Sequence, residues 1–298
     1  MVQSGGTANA WIVSGGTEIV GSGGEAVGVL IKHGGKQIVS GGSTFFVAVS
    51  SGGEQDVGPG GTAETLTIAG IGKVFGGGIV SGGGIFGGAS AISGGTEIVG
   101  SGGTTSLFAV SAGGKEIVNS AGTAIGTLVK SGGREQVGAG GKSISASIRS
   151  GGTEILTLGG VASAAIVNSG GRQIASSGGV ASGATVSSAG IQVITQGGTA
   201  SAAAILSGGT EFVSAGGTAV GTIDSGGQER VGAGGKSIAA TISSGGTETV
   251  ATGGVDSGAV IASGGFQIVS SGGVASGVTV SRGLCRTSSA AAKRAPYS

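Results

Sequence analysis

The residues that could do chemistry are few, and the most conspicuous are acids and amides recurring at fixed spacing. Glu18, Gln37, Gln55, Glu97, Glu116, Glu135, Glu154, Gln173, Gln192, Glu211, Glu229, Glu248 and Gln267 form one column, each standing two residues before a mostly aliphatic position. Paired carboxylates on one face can serve as general acid and nucleophile in glycoside hydrolysis. Catalysis needs one distinctive site, whereas this feature recurs thirteen times. The column therefore reads as a ladder at a strand entry, its side chains bonding backbone amides at the corner. By strict alternation Glu18 shares a face with Val20, and ionised carboxylates in a dry interior are costly. The expectation is a pleat broken near Glu18, leaving the carboxylate at a corner within reach of water.

The other reactive types assemble no site. His33 is the single histidine, which puts a histidine-based triad out of reach, and it reads as a solvated loop residue in a place usually held by serine. Cys285 is the single cysteine, so a disulfide framework and a cysteine metal cluster are excluded. The three aspartates, Asp56, Asp224 and Asp256, lack the spacing of calcium-binding nonapeptides. GGKS occurs at Gly140 to Ser143 and at Gly234 to Ser237, but Gln136 and Arg230 stand where a phosphate loop needs its first glycine. A net charge of +1 and 3% aromatics give no footprint for nucleic acid. Catalytic, cofactor-binding and metal residues are therefore expected to be none, and no small-molecule substrate is expected.

What positions these residues is a repeat. From Ser150 to Gly171 the chain reads SGGTEILTLGGVASAAIVNSGG, with diglycines eight and then eleven residues apart, and most of the 298 residues repeat that 19-residue unit. The step is 18 from Gly34 to Gly52 and from Gly208 to Gly226, and the register blurs between 66 and 93. SGGREQVGAGGKSI from Ser131 recurs as SGGQERVGAGGKSI from Ser225, marking a block duplication.

Two columns read as interior. One runs Val20, Val39, Val57, Val99 and on to Val269; the other runs Ile31, Val49, Ile68 and on through Ile205, Ile223, Ile242 and Ile261 to Val280. A third, of small residues (Ala26, Ala63, Ala124, Ala162), admits Asp256 and so reads as less strictly buried. Short β-branched runs punctuated by glycine pairs are strand grammar, and a unit this short buries its apolar face only by stacking on its copies. The predicted fold is all-β: a right-handed parallel β-helix, or solenoid, of about 15 turns. Residues 1–282 form the array, with irregular turns at 66–93, and 283–298 form an off-pattern tail. No run of 18 apolar residues suggests a spanning helix.

The alternation SGGTEIVxSGGxAxGTxIxSGG resembles the passenger repeats of AIDA-type, antigen 43-like autotransporter adhesins from residue 4 to about 282. The resemblance implies a β-helical passenger exported through the outer membrane to the bacterial cell surface. There it would mediate adhesion to host or abiotic surfaces, or self-association with like passengers into aggregates and biofilm. Neither a signal peptide nor a translocator barrel is legible, so a separate barrel is expected and the sequence reads as a fragment. The outward column Ile19, Ile38, Ile98, Ile117 and Phe212, interspersed with Asp56, Gln136 and Arg230, is the candidate adhesive surface. Two alternatives are a purely structural stalk and an ice- or polysaccharide-binding solenoid. The threonine rows that the second would need (Thr17, Thr96, Thr153, Thr210, Thr247) are interrupted by Lys36, Lys115, Arg134, Arg172 and Phe266. A β-helical enzyme is not expected.

Overall fold

The computed structural model describes residues 1–74, 76–81, 90–91, 94–281, 284–287 and 293–294. The chain is an all-strand parallel β-solenoid of about 14 turns at close to 19-residue spacing, slightly fewer turns than the repeat count predicts. It divides into two compact units, Met1–Ser147 and Ile148–Ser298.

Each full coil contributes a long, a middle and a short strand. In the first unit one coil supplies Thr17–Val20, Glu25–Val27 and Leu30–Ile31. These pair in parallel with Lys36–Val39, Ser43–Phe45 and Ala48–Val49. In the second unit Thr153–Leu156, Val161–Ser163 and Ile166–Val167 pair with Arg172–Ala175, Val180–Ser182 and Thr185–Val186. Three parallel sheets thus surround the interior of each unit. Val20, Ala26 and Ile31 stack there on Val39, Thr44 and Val49, all nearly or fully buried. β-Branched side chains suit this role because their restricted χ1 packs well on a pleated surface.

The two glycines of each corner do different work. Gly34 sits at φ +72°, the left-handed region that glycine enters without a Cβ clash. Gly35 has no such φ, but a Cβ there would strike the carbonyl oxygen of Val13, one coil earlier. The Ala189-Gly190 corner separates the two demands: Ala189 tolerates φ 65°, while Gly190 stays glycine because a Cβ would collide with the Val167 carbonyl. The first position needs a conformation and the second needs empty space.

Length changes fall in corners and leave the strands in register. The 18-residue step near Gly41 shortens the turn between Val39 and Ser43. The one near Gly226 shortens the turn after Asp224, which corrects one interior assignment. Asp224 pairs with Ile205 and Ile242 and is fully buried, whereas Ile223 points outward at 50% exposure. Asp256 is fully buried too, so the small-residue column is interior throughout that coil. Val280, expected inside, is 42% exposed on the last described strand of its sheet.

In the stretch read as irregular, Thr67–Ile68, Ile71–Val74, Ile79–Ser81 and Ser90–Ala91 keep the three-sheet order. Residues 75, 82–89 and 92–93 of this stretch lie outside the described set. In the tail, Leu284–Thr287 pairs with Phe266–Val269, and the Cys285 side chain lies outside the described set. No helix among the described residues is long and apolar enough to cross a membrane.

Candidate functional site

The acid and amide column stands inside the sheets and not at a corner, which corrects the sequence expectation. Glu18 is 4% exposed, and Gln37, Gln55, Glu97, Glu211, Glu229 and Glu248 are fully buried. The pleat is unbroken: Thr17–Val20 alternates exposed, buried, half-buried, buried. What makes this tolerable is stacking. Each rung lies beside its copy on the next strand, about 4.8 Å away, close enough for one side chain to bond the next. Gln37 Nε2 donates to Glu18 Oε2 at 2.7 Å, and Gln55 Nε2 donates to Gln37 Oε1 at 2.7 Å. In the second unit Gln173 donates to Glu154 at 2.6 Å, Gln192 to Gln173 at 2.6 Å, and Gln267 to Glu248 at 2.8 Å. Donation runs from the later coil to the earlier every time.

Where acids replace amides, hydroxyls and burial take over. Glu116 accepts from Thr105 at 2.6 Å and from Thr127 at 2.8 Å. Gly72 leaves its rung empty, and the Glu97 carboxyl fills the space where a Cβ would be. Burial, reinforced by the charge of Glu116, holds the Glu97 carboxyl well above the usual range. In the second unit, burial pushes Glu211 up to about 7 and Glu248 up to about 8. Asp224 and Asp256 rise to about 6, again chiefly by burial.

The outward rows are the surface available to a partner. Register in the first unit places Ile19, Ile38, Asp56, Lys73, Ile98, Ile117 and Gln136 in one line. In the second unit Ile155, Ile174, Val193, Phe212, Arg230, Thr249 and Ile268 do the same. The structure thus aligns the residues proposed for that surface and adds Lys73, which sequence reading missed. Lys73 lies where the diglycine signal fails; the segment IGKV at 71–74 still carries the apolar alternation that could have found it.

Lys73 completes an ion cluster. Lys36 Nζ lies 2.6 Å from Asp56 and 3.3 Å from Glu54, and Lys73 bonds Glu54. The hydrogen bond to Asp56 raises the Lys36 ammonium, and the bond from Lys73 lowers the Glu54 carboxyl. His33 is exposed in its turn, and Ser143 of the first GGKS is buried in a strand, which leaves no phosphate cradle.

Two further outward features have definite shape. The duplicated block places Ile125 beside Ile144 in the first unit and Val220 beside Ile238 in the second, each 37 to 40% exposed. Ser106 precedes the first pair, and Ser201 and Ser257 flank the second. In the second unit a groove of about 420 Å³ is lined by Phe212, Ser214, Arg230, Gly232, Thr249 and Ala251. Gly232 and Ala251 have little or no side chain to fill it, and Thr249 is smaller than the isoleucines common in its row. The Arg230 guanidinium stands 5.7 Å from the Phe212 ring centre and donates to Gln228 at 2.7 Å. Among the described residues no group of three or more His, Cys, Asp or Glu is placed to hold a metal ion.

No family model and no curated protein matches the chain. A solved structure does: the crystal structure of a TibA fragment hyper-glycosylated by TibC. It superposes with a TM-score of 0.80 at 33% identity, covering 96% of this chain and 98% of that one. Sequence identity at that level over nearly the full length of both, on a shared parallel solenoid, is more than a common architecture. The chain belongs to the autotransporter adhesin passengers of which the TibA fragment is a solved member.

Proposed function

We propose that this chain is an exported, surface-exposed passenger that works by adhesion, through self-association with like passengers and attachment to other surfaces. In this reading residues 1–282 are the repeat array, residues 283–298 are a tail that departs from the repeat sequence, and a translocator barrel carries the passenger through the outer membrane. The carrying observation is the full-length match to the TibA passenger fragment. The outward rows support it: half-buried isoleucines line the long strands, and exposed apolar pairs stand among serines. Exposed apolar surface of this kind marks interaction sites. Its role is binding by a repeated surface, without catalysis.

A second reading has its own observation. The Phe212–Arg230 groove offers an aromatic face, an unneutralised cation and two hydroxyls, Ser214 and Thr249, which suits an acidic polysaccharide. One experiment separates the two. Cells displaying the chain behind a leader and a translocator should settle faster than cells displaying an unrelated passenger. Ile125→Asp with Ile144→Asp should slow settling severalfold, while Arg230→Ala should not. Slowing by Arg230→Ala, together with inhibition by oligogalacturonate, supports the glycan reading instead. Equal settling of all displays would sink both.

A further inference from the structure

The direction of donation along the interior ladder carries a consequence for its acids. At every amide rung the later side chain supplies a hydrogen to an oxygen of the earlier one. In the second unit the amides stop at Gln192, and the next three rungs are Glu211, Glu229 and Glu248, paired in register. Gln192 Oε1 is buried and receives no hydrogen bond from any protein donor; Glu211 Oε1, both oxygens of Glu229 and Glu248 Oε1 are in the same position. An ionised glutamate only accepts, whereas a protonated one carries an O–H that can donate as the glutamine N–H does.

We propose that Glu211, Glu229 and Glu248 stand as neutral acids, each O–H donating to the rung before it, so that protons fasten these coils and a rise in pH loosens them.

The surroundings supply no other neutralisation. Around Glu229 the flanking rungs are Glu211 and Glu248, the middle strands present Ala219, Ser237 and Asp256, and the short strands present Ile205, Asp224 and Ile242. The cations of this unit with described side chains, Arg149, Arg172, Arg230 and Lys236, are all exposed. Existing donors serve the edges of the cluster. Thr222 donates to Glu211 at 3.0 Å, Gln267 donates to Glu248 and to Asp256, and the Gly227 and Thr247 amides donate to Asp224 at 2.8 and 2.9 Å. Glu229, in the centre, gets none from an amide or threonine; the Ser237 hydroxyl faces it from the middle strand and offsets only part of what burial does.

Burial also raises these carboxyls above their ordinary range, Glu229 well above it. A raised folded pKa means the folded chain binds more protons than the unfolded one. Stability is therefore fully present below about pH 4, where the unfolded acids titrate, and is lost as pH rises through the raised folded values, about 7 for Glu211 and about 8 for Glu248.

The test is infrared spectroscopy of the whole chain in heavy water at neutral pH, joined to thermal melts at pH 5 and pH 8. A protonated-carboxyl C=O band should persist at neutral pH, and the midpoint should fall by about 5 °C or more from pH 5 to pH 8. The triple variant E211Q, E229Q, E248Q should remove most of the band and most of the fall. Glutamine already occupies rungs 37, 55, 173, 192 and 267, so the substitution suits the column. Glu25→Gln with Glu64→Gln, both exposed, should leave band and slope unchanged. Absence of the band in the unsubstituted chain, or a midpoint that holds or rises by pH 8, overturns the proposal whatever the variants do.

Discussion

Rungs 18, 37 and 55 of the first unit and rungs 211, 229 and 248 of the second occupy the same column, yet they meet burial in different ways. In the first, two glutamines carry their own donors, so each bonds the rung before it with an amide hydrogen and needs no added proton. In the second, three acids stand in succession with two more, Asp224 and Asp256, in the neighbouring columns. The backbone is the same parallel ladder in both. A side chain's neighbours above and below, and not its own strand, decide whether a buried rung needs a proton.

The comparison can be broken first at the backbone it assumes to be shared. Gly35→Ala in the first region and Gly209→Ala in the second would each drive a Cβ into a carbonyl of the previous coil, at Val13 and Val186. Each should destabilise by about 3 kcal/mol in chemical denaturation, and the two losses should agree within about 1 kcal/mol. A large disagreement would mean that the two frameworks differ and that side chains alone do not explain the contrast.

A smaller effect sharpens it. Gln37→Glu removes the amide that donates to Glu18 and builds an acid pair in the first region. The loss should be about 2 kcal/mol at pH 8 and well under half that at pH 5, because a protonated acid restores the donor. Denaturant titrations at the two pH values measure it; a loss equal at both would show that protonation does not substitute for the amide.

The smallest effect lies outside. Lys36→Met cuts the Lys36 bonds to Asp56 and Glu54 on the exposed face of the first region. Partly exposed pairs contribute less than about 1 kcal/mol, so the change should be near the limit of measurement and vanish in 1 M salt, about the concentration at which screening reaches 3 Å. A large salt-sensitive loss would make the surface cluster, and not the interior ladder, the feature that sets the first region apart.

Much of the fold was legible because the period is legible. Val20 and Ile31 are interior as the columns indicate, since a position filled by aliphatic residues coil after coil has one physical explanation. Glu18 was misplaced because cost was reckoned for one isolated carboxylate, and the amide that bonds it is 19 residues away in sequence and one strand away in space. Ile223 was misassigned because counting from the diglycine assumes that every turn has the same length, and the turn after Asp224 is one residue short. Lys73 was missed because the corner before its strand reads Ala69-Gly70 where most others carry a glycine pair.

The sequence by itself determined the repeat, the strand class, the parallel stacking and the family likeness, because each follows from residue types at fixed intervals. Tertiary structure alone decided which residue of a shortened turn faces inward, which rungs bond one another, and where Phe212 and Arg230 meet. Those outcomes depend on register between coils. A register is a relation across space that no single unit of the sequence contains.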